Sequence, residues 1–230
     1  MSQKDNLENK LIDIHHTFLL GKMTGDLFHE VNNIIGASIG FAQLAKMSMS
    51  PDDVNKLIDV VLNSTEKIKE VSKSAQTYLS AVSKNGELTD ISDVLNNCAI
   101  LSRKSLIKKG IKLSPINKKL IAFQTDVRIL KHTILSFISA IIESNANRGG
   151  TLELNAEKTD EMQVKIEINH DYIDAEHLNN LSKKIDSIDI SDNFDNDAFM
   201  AVYLSKKYLG ATLEIVPRKI TLILDEVITQ

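Results

Sequence analysis

Three side chains sit at a spacing at which they can act together: His29, Glu30 and Asn33, in the run Phe28-His29-Glu30-Val31-Asn32-Asn33-Ile34-Ile35. A helix advances one turn in about 3.6 residues, so His29 and Asn33 stand one above the other on one face. Glu30 lies beside them, turned by about 100° around the axis. A neutral imidazole nitrogen is a nucleophile near pH 7, and the neighbouring carboxylate can orient the ring and accept its second proton. The carboxamide of Asn33 can hold a water or an acyl phosphate oxygen. The plainer readings are a surface histidine on a helical bundle and a surface amide.

These residues need a helix under them, and the chain supplies one. From Leu7 to about Met47 apolar residues recur at helical spacing: Leu7, Leu11, Ile14, Phe18, Met23, Leu27, Val31, Ile34, Ile35, Ile39, Phe41 and Leu44. Gly21, Gly25, Gly36 and Gly40 interrupt this stripe, each at a cost of roughly 1 kcal/mol against Ala, and point to close packing or a bend near His29. Ser50-Pro51-Asp52-Asp53 reads as a stop and a restart, with Ser50 as N-cap and Pro51 in the first helical position. A second helix is expected from Pro51 to about Val82. Two long helices joined by a tight turn form an antiparallel hairpin. Such a hairpin cannot cover its own apolar face, so a twofold dimer closing a four-helix bundle is expected; packing on the rest of the chain is the alternative.

Lys84-Asn85-Gly86-Glu87 marks the expected boundary between a domain of residues 1–84 and a second of residues 85–230. Beyond it the patterning is mixed. Helices are expected over Thr89–Lys108, capped by Thr89 or Asp90, over Asp126–Asn145, and over Asp197–Leu209 ending at Gly210. Strands are expected at Ile111–Leu113, Leu120–Phe123, Thr151–Ala156, Gln163–Asn169, Thr212–Val216 and Ile220–Asp225. Leu152 and Leu154, like Val164, Ile166 and Ile168, should share a buried face. Helices on one face of a mixed sheet make the fold class α+β.

The bulk properties set limits. The chain has 230 residues, 43% of them hydrophobic and 25% charged, which fits a globular protein with a sizeable core. A net charge of −4 and the lack of a basic stripe argue against nucleic-acid binding; Lys108-Lys109 and Lys118-Lys119 read as solvated loop charge. No signal peptide and no apolar run near the roughly 20 residues of a membrane span are seen, so no membrane contact and a cytoplasmic location are expected. The single Cys98 fits a reducing compartment and falls on an apolar stripe, which predicts a buried, inert thiol. His15 and His16 point apart as helix neighbours, lack a supporting ligand cluster for a metal, and are expected to face solvent. His132, His170 and His177 carry no motif, and the acid-rich stretch 186–197 reads as a solvated loop.

The segment from Leu20 to Ile35, followed by Gly40-Phe41-Ala42-Gln43-Leu44, resembles the phosphoacceptor box of two-component sensor histidine kinases. The hairpin is similar to their dimerisation and phosphotransfer domain, and the order of elements after Gly86 to their Bergerat-type ATP-binding domain. The resemblance implies a dimeric four-helix bundle followed by a degenerate Bergerat-like α/β sandwich. It makes His29 the phosphoacceptor, Glu30 the acid that manages its proton, and Asn33 a residue assisting hydrolysis of a partner's aspartyl phosphate. The second half departs from the family pattern. Ser136 and Ala140 stand where the family has two asparagines, one of them binding magnesium, Asn169-His170-Asp171-Tyr172-Ile173-Asp174 replaces the adenine loop, and Phe194–Met200 replaces the glycine-rich phosphate loop. Not one glycine lies between Asp160 and Leu209, and the acids of 186–197 would repel phosphates. Asp171 could still meet an adenine amine.

What the resemblance implies is therefore a histidine phosphotransferase that passes a phosphoryl group between receiver-domain aspartates through His29 without ATP. Its partners would be response-regulator receiver domains, which carry the magnesium, and a second copy of itself; this chain would bind no cofactor. An aspartyl-phosphate phosphatase using Glu30 and Asn33 is one alternative. A non-catalytic adaptor that sequesters receivers is another, and a working kinase is disfavoured by the glycine-free region.

Overall fold

The computed structural model describes residues 3–48, 50–79, 86–117, 119–160 and 162–226. Helix α1 runs unbroken over Gln3–Ser48, 46 residues, and α2 over Pro51–Leu79. The turn between them is made as its residues predict. Ser50 Oγ accepts from the Asp53 N–H (3.2 Å) and its carbonyl accepts from the Val54 N–H (3.1 Å), a capping arrangement that satisfies two first-turn donors. The expected last turn of α2 and the domain boundary at 84/85 fall outside the described residues.

The remainder alternates short strands and helices. Strand β1 is Glu87–Asp90, α3 Ile91–Lys108, β2 Ile111–Leu113, β3 Ala122–Thr125, α4 Val127–Ser144, β4 Gly150–Asp160 and β5 Gln163–His170. Then follow α5 Ala175–Lys184, α6 Asp197–Lys207, β6 Thr212–Val216 and β7 Lys219–Asp225. Five strands form one sheet in the order β2-β4-β5-β7-β6, with β2 parallel to β4 and every other pair antiparallel. Strands β1 and β3 pair apart from it, and the expected strand at Leu120–Phe123 is displaced by two residues to Ala122–Thr125. The class is α+β.

Period-two burial builds the core. Leu152, Leu154, Val164, Ile166, Ile168, Ile220 and Leu222 are all buried on the inner face of the sheet, as their alternation requires. Side-chain caps start the helices that cover it. Asp126 Oδ1 accepts from the Ile129 N–H (3.0 Å) and Asn196 Oδ1 from the Phe199 N–H (2.9 Å). Helix α4 is buried on nearly every side over Ile129–Ser139, so it cannot be a surface helix.

Its cover comes partly from α1. Ile12, Leu19, Met23 and Leu27 are buried, whereas Ile14, Phe18, Ile35, Ile39 and Leu44 of the same predicted stripe are exposed. The first half of α1 therefore docks on the sandwich through Met23 and Leu27, which the predicted stripe contains, and through Ile12 and Leu19, which it omits. The helical glycines are not explained by packing inside the chain: a Cβ at Gly21, Gly25, Gly36 or Gly40 would meet nothing within 4 Å. The acid-rich stretch is also more ordered than a solvated loop. It forms two 3-10 turns, Ile185–Ser187 and Ile190–Asp192, with Ile185 and Ile190 buried and Asp186 paired with Lys207. Its last acid, Asp197, is 1% exposed.

Candidate functional site

His29 projects from the middle of α1 into solvent and hydrogen-bonds no other described residue. Its helix is tied down one turn earlier. Asp26 accepts from Ser105 Oγ (2.6 Å) and from the Lys108 ammonium, both on α3. Desolvation pushes the Asp26 carboxyl up, but the hydrogen bonds from Lys108 and Ser105 outweigh it and hold the group below its ordinary range. Lys108, read from sequence as loop charge, is thus a clamp at the end of α3; Lys118 lies outside the described residues.

Glu30 and Asn33 line a cleft of about 590 Å³ between the hairpin and α3, together with Asn63, Ser64 and Lys67 of α2 and Arg103 and Lys104 of α3. One carboxylate oxygen of Glu30 is buried there without a hydrogen-bond partner among the described residues. A hydroxyl pair, Ser38 Oγ donating to Ser64 Oγ (2.9 Å), pins the two hairpin helices beside it. The structure thus brings Glu30 and Asn33 to one cleft, while His29 is not among that cleft's lining residues. No hydrogen bond joins Glu30 to His29, as expected of neighbours turned about 100° apart on a helix.

A second polar cluster was not foreseen. His15 and His16, expected to face solvent, are 0% and 9% exposed. His15 Nδ1 lies 2.7 Å from His132 Nε2, and His15 Nε2 lies 2.9 Å from Asp197 Oδ1. The other oxygen of Asp197 accepts from Ser139 Oγ and from Lys22 Nζ (2.9 Å), and Lys22 reaches on to Glu143 (2.6 Å). Burial opposes the Asp197 charge, yet the hydrogen bonds from His15, Ser139 and Lys22 prevail and hold its carboxyl below the ordinary value. Burial, with the nearby His15, His16 and Arg128, drives His132 well below 6.5. His16 is pushed down to about 4, chiefly by burial and then by Arg128. A signal was present: Ile12, His15, His16, Leu19 and Met23 recur at helical spacing and define the face that α1 buries.

In the region that the resemblance assigns to nucleotide, polar groups serve the local turns. Asn145 bonds both the N–H and the carbonyl of Gly149, His170 Nδ1 accepts from the Tyr172 N–H (3.0 Å), and Asp171 accepts from the Thr151 N–H (3.1 Å). Gly150, at φ +109°, lets that carboxylate approach, since a Cβ would lie 2.9 Å from Asp171 Oδ2. Ser136 donates to the His132 carbonyl inside α4 and is fully buried. Cys98 is buried, and burial pushes its thiol up to about 12. Among the described residues no three His, Cys, Asp or Glu side chains are grouped to hold a metal, and no helix is long and apolar enough to cross a membrane.

No protein-family model matches the chain, and no curated protein matches it. Among solved structures it is similar to the Acinetobacter baumannii histidine kinase AdeS, at 15% identity over 86% of this chain and 98% of that one, TM-score 0.46. It is similar also to the histidine kinase ThkA in complex with the response regulator protein TrrA, at 16% identity over 98% of this chain and 66% of that one, TM-score 0.42. A structure described as a bacterial phosphotransferase matches at 15% identity over 90% of this chain and 95% of that one, TM-score 0.41.

Proposed function

We propose that this chain is a histidine phosphotransferase of a two-component phosphorelay, with His29 carrying the phosphoryl group between receiver-domain aspartates. The observation that carries the reading is the setting of His29: exposed, without a hydrogen bond to any other described residue, and held on a helix clamped one turn away through Asp26. Its unprotonated ring nitrogen attacks the phosphorus of an aspartyl phosphate; the N–P bond forms as the P–O bond to the aspartate breaks, and that carboxylate leaves. The proton on the other ring nitrogen can pass to Glu30 through water. The receiver, with its own magnesium, stabilises charge on the transferring group.

The reading does without ATP, and the sandwich supports that. The space enclosed by α4, α5 and α6 is about 60 Å³ and lined largely by Phe137, Ile141, Ile173, Leu178 and Ala198, against roughly 300–1,000 Å³ for ordinary ligand sites. The groove beside it, about 320 Å³, is large enough for a ligand but sets two acids, Asp171 and Asp174, against one cation, Arg148, which itself lies over the Tyr172 ring. These residues do not fit a triphosphate.

A second reading rests on the cleft. Glu30 and Asn33 line it while His29 does not, an arrangement that favours hydrolysis of a docked aspartyl phosphate with Asn33 aligning water. Incubation with a labelled phosphoreceiver separates the two. Acid-labile label on the wild type and none on His29→Gln supports transfer. Loss of label to inorganic phosphate in both proteins supports hydrolysis.

A further inference from the structure

We propose that the chain of hydrogen bonds from His132 through His15 to Asp197 is a proton-sensitive latch that holds the sandwich against the first half of α1, and that acid opens it. The latch joins three elements far apart in sequence: His15 on α1, His132 on α4 and Asp197 at the start of α6. All three side chains are at most 1% exposed. The gap of 2.7 Å between the two rings has room for one proton. With both rings neutral, His15 donates from Nε2 to Asp197 and accepts at Nδ1 from the Nε2–H of His132. With both rings charged, two N–H groups would face each other and the contact must break.

The surroundings set the direction. His16 of α1, Arg128 of α4 and Asp197 of α6 act on the pair directly; beyond them lie Asp13 and Tyr78 beside His16, Cys98 of α3 near Tyr78, Lys22 on Asp197 and Glu143 on Lys22. Among the described residues Asp197 is the one buried carboxylate in contact, and Lys22 and Ser139 already occupy its second oxygen. A further proton on His132 therefore meets Arg128 and His16 with no anion of its own, whereas in the opened form the ring regains its ordinary hydration. Opening takes up protons on His132 and, because His16 is sealed in the same seam against Tyr78, on His16 as well. Each pH unit below 6.5 then favours opening by up to about tenfold per histidine.

The latch bears on the candidate site through α1 itself. That helix runs without a break from His15 to His29, and α3, which packs in the sandwich and is clamped to α1 at Asp26, forms one wall of the cleft at Glu30 and Asn33. Opening would leave the contacts of Asp26 with Ser105 and Lys108 to hold that wall to α1. The inference does not depend on what His29 transfers.

Hydrogen exchange of the full chain between pH 7 and pH 5.5, corrected for intrinsic rates, tests it. In the wild type the amides of α1 from Asn9 to Met23 should lose protection as pH falls, while those of β5 and β7 keep theirs. His132→Gln retains a side-chain donor to His15 but cannot be charged. It should stay closed and respond to pH with one proton fewer, up to tenfold less opening per unit. Asp197→Asn should open at neutral pH. Flat α1 protection across this range, joint loss in α1 and β5, or an unchanged pH response in His132→Gln would each overturn the latch. The Gln variant keeps the test valid if the Asn variant does not fold.

Discussion

The ring of His16 stacks on that of Tyr78 with centroids 4.1 Å apart, joining the first third of α1 to the end of α2. The contact buries both side chains, and the imidazole stays neutral because its pKa is pushed down to about 4. A histidine held neutral binds fewer protons folded than unfolded, so stability is full above pH 6.5 and falls as pH drops from 6.5 towards 4. The His132 shift adds to the same window and extends it lower. Urea midpoints should decline across this range by an amount equivalent to about 2 kcal/mol or more. In His16→Phe, which keeps the stacking partner and cannot titrate, the decline should be shallower. An equal slope in both proteins would remove His16 from the account.

Asp90 fixes two segments with one oxygen. Its Oδ1 accepts from the Ser92 N–H (3.0 Å), capping α3, and from the Ile121 N–H (3.0 Å), holding the approach to β3. Asp90→Ala leaves both donors without that partner and should cost about 2 kcal/mol, toward the upper end for an N-cap. Asp90→Asn keeps an acceptor oxygen and should recover most of the loss. Chemical denaturation of the three proteins checks this, and equal destabilisation by Ala and Asn would show that charge rather than hydrogen bonding matters there.

Much of the fold was legible because its signals are local. Ser50 and Asp90 cap the helices they precede, and the alternation of Val164, Ile166 and Ile168 places β5 correctly. What was missed depends on partners remote in sequence. His15 looks like one of two surface histidines until His132 and Asp197, 117 and 182 residues away, are brought to it by the packing of α4 and α6. For the same reason Ile12 and Leu19 are absent from the predicted stripe although both are buried: the seam of α1 is set by the surface it meets. The candidate site was read from its motif, but the sequence could not reveal that Glu30 and Asn33 share a cleft with Arg103 and Lys104 of α3.

Cys98 reports on the integrity of this packing. The thiol is buried against α4, its Sγ lies 3.8 Å from the Lys131 carbonyl, and burial pushes its pKa up to about 12. Thiolate, the reactive form, is therefore scarce in the folded protein at neutral pH. Native protein should react with an aromatic disulfide reagent at least a hundredfold more slowly than urea-unfolded protein. A fast reaction under native conditions would mean that α3 separates readily from α4.

The exposed apolar side chains of the hairpin concern assembly. Ile35, Ile39, Leu44 and Met47 on α1, with Val54, Ile58 and Leu62 on α2, stand uncovered near the tip, away from the part of α1 that docks on the sandwich. Monomeric proteins seldom expose contiguous apolar patches larger than a few hundred Å². A twofold partner presenting the same strip would bury it in a four-helix bundle, and the glycines that meet nothing within 4 Å in one chain, Gly36 and Gly40, would allow close approach. The wild type should therefore sediment at about twice the chain mass of 25.6 kDa at micromolar concentration. Ile39→Asp combined with Ile58→Asp sets charge into the strip and should yield a folded protein of half that mass, since neither residue belongs to the buried core. A monomeric wild type, or a double variant that remains a dimer, would mean that another surface makes the contact and that the strip serves a different partner.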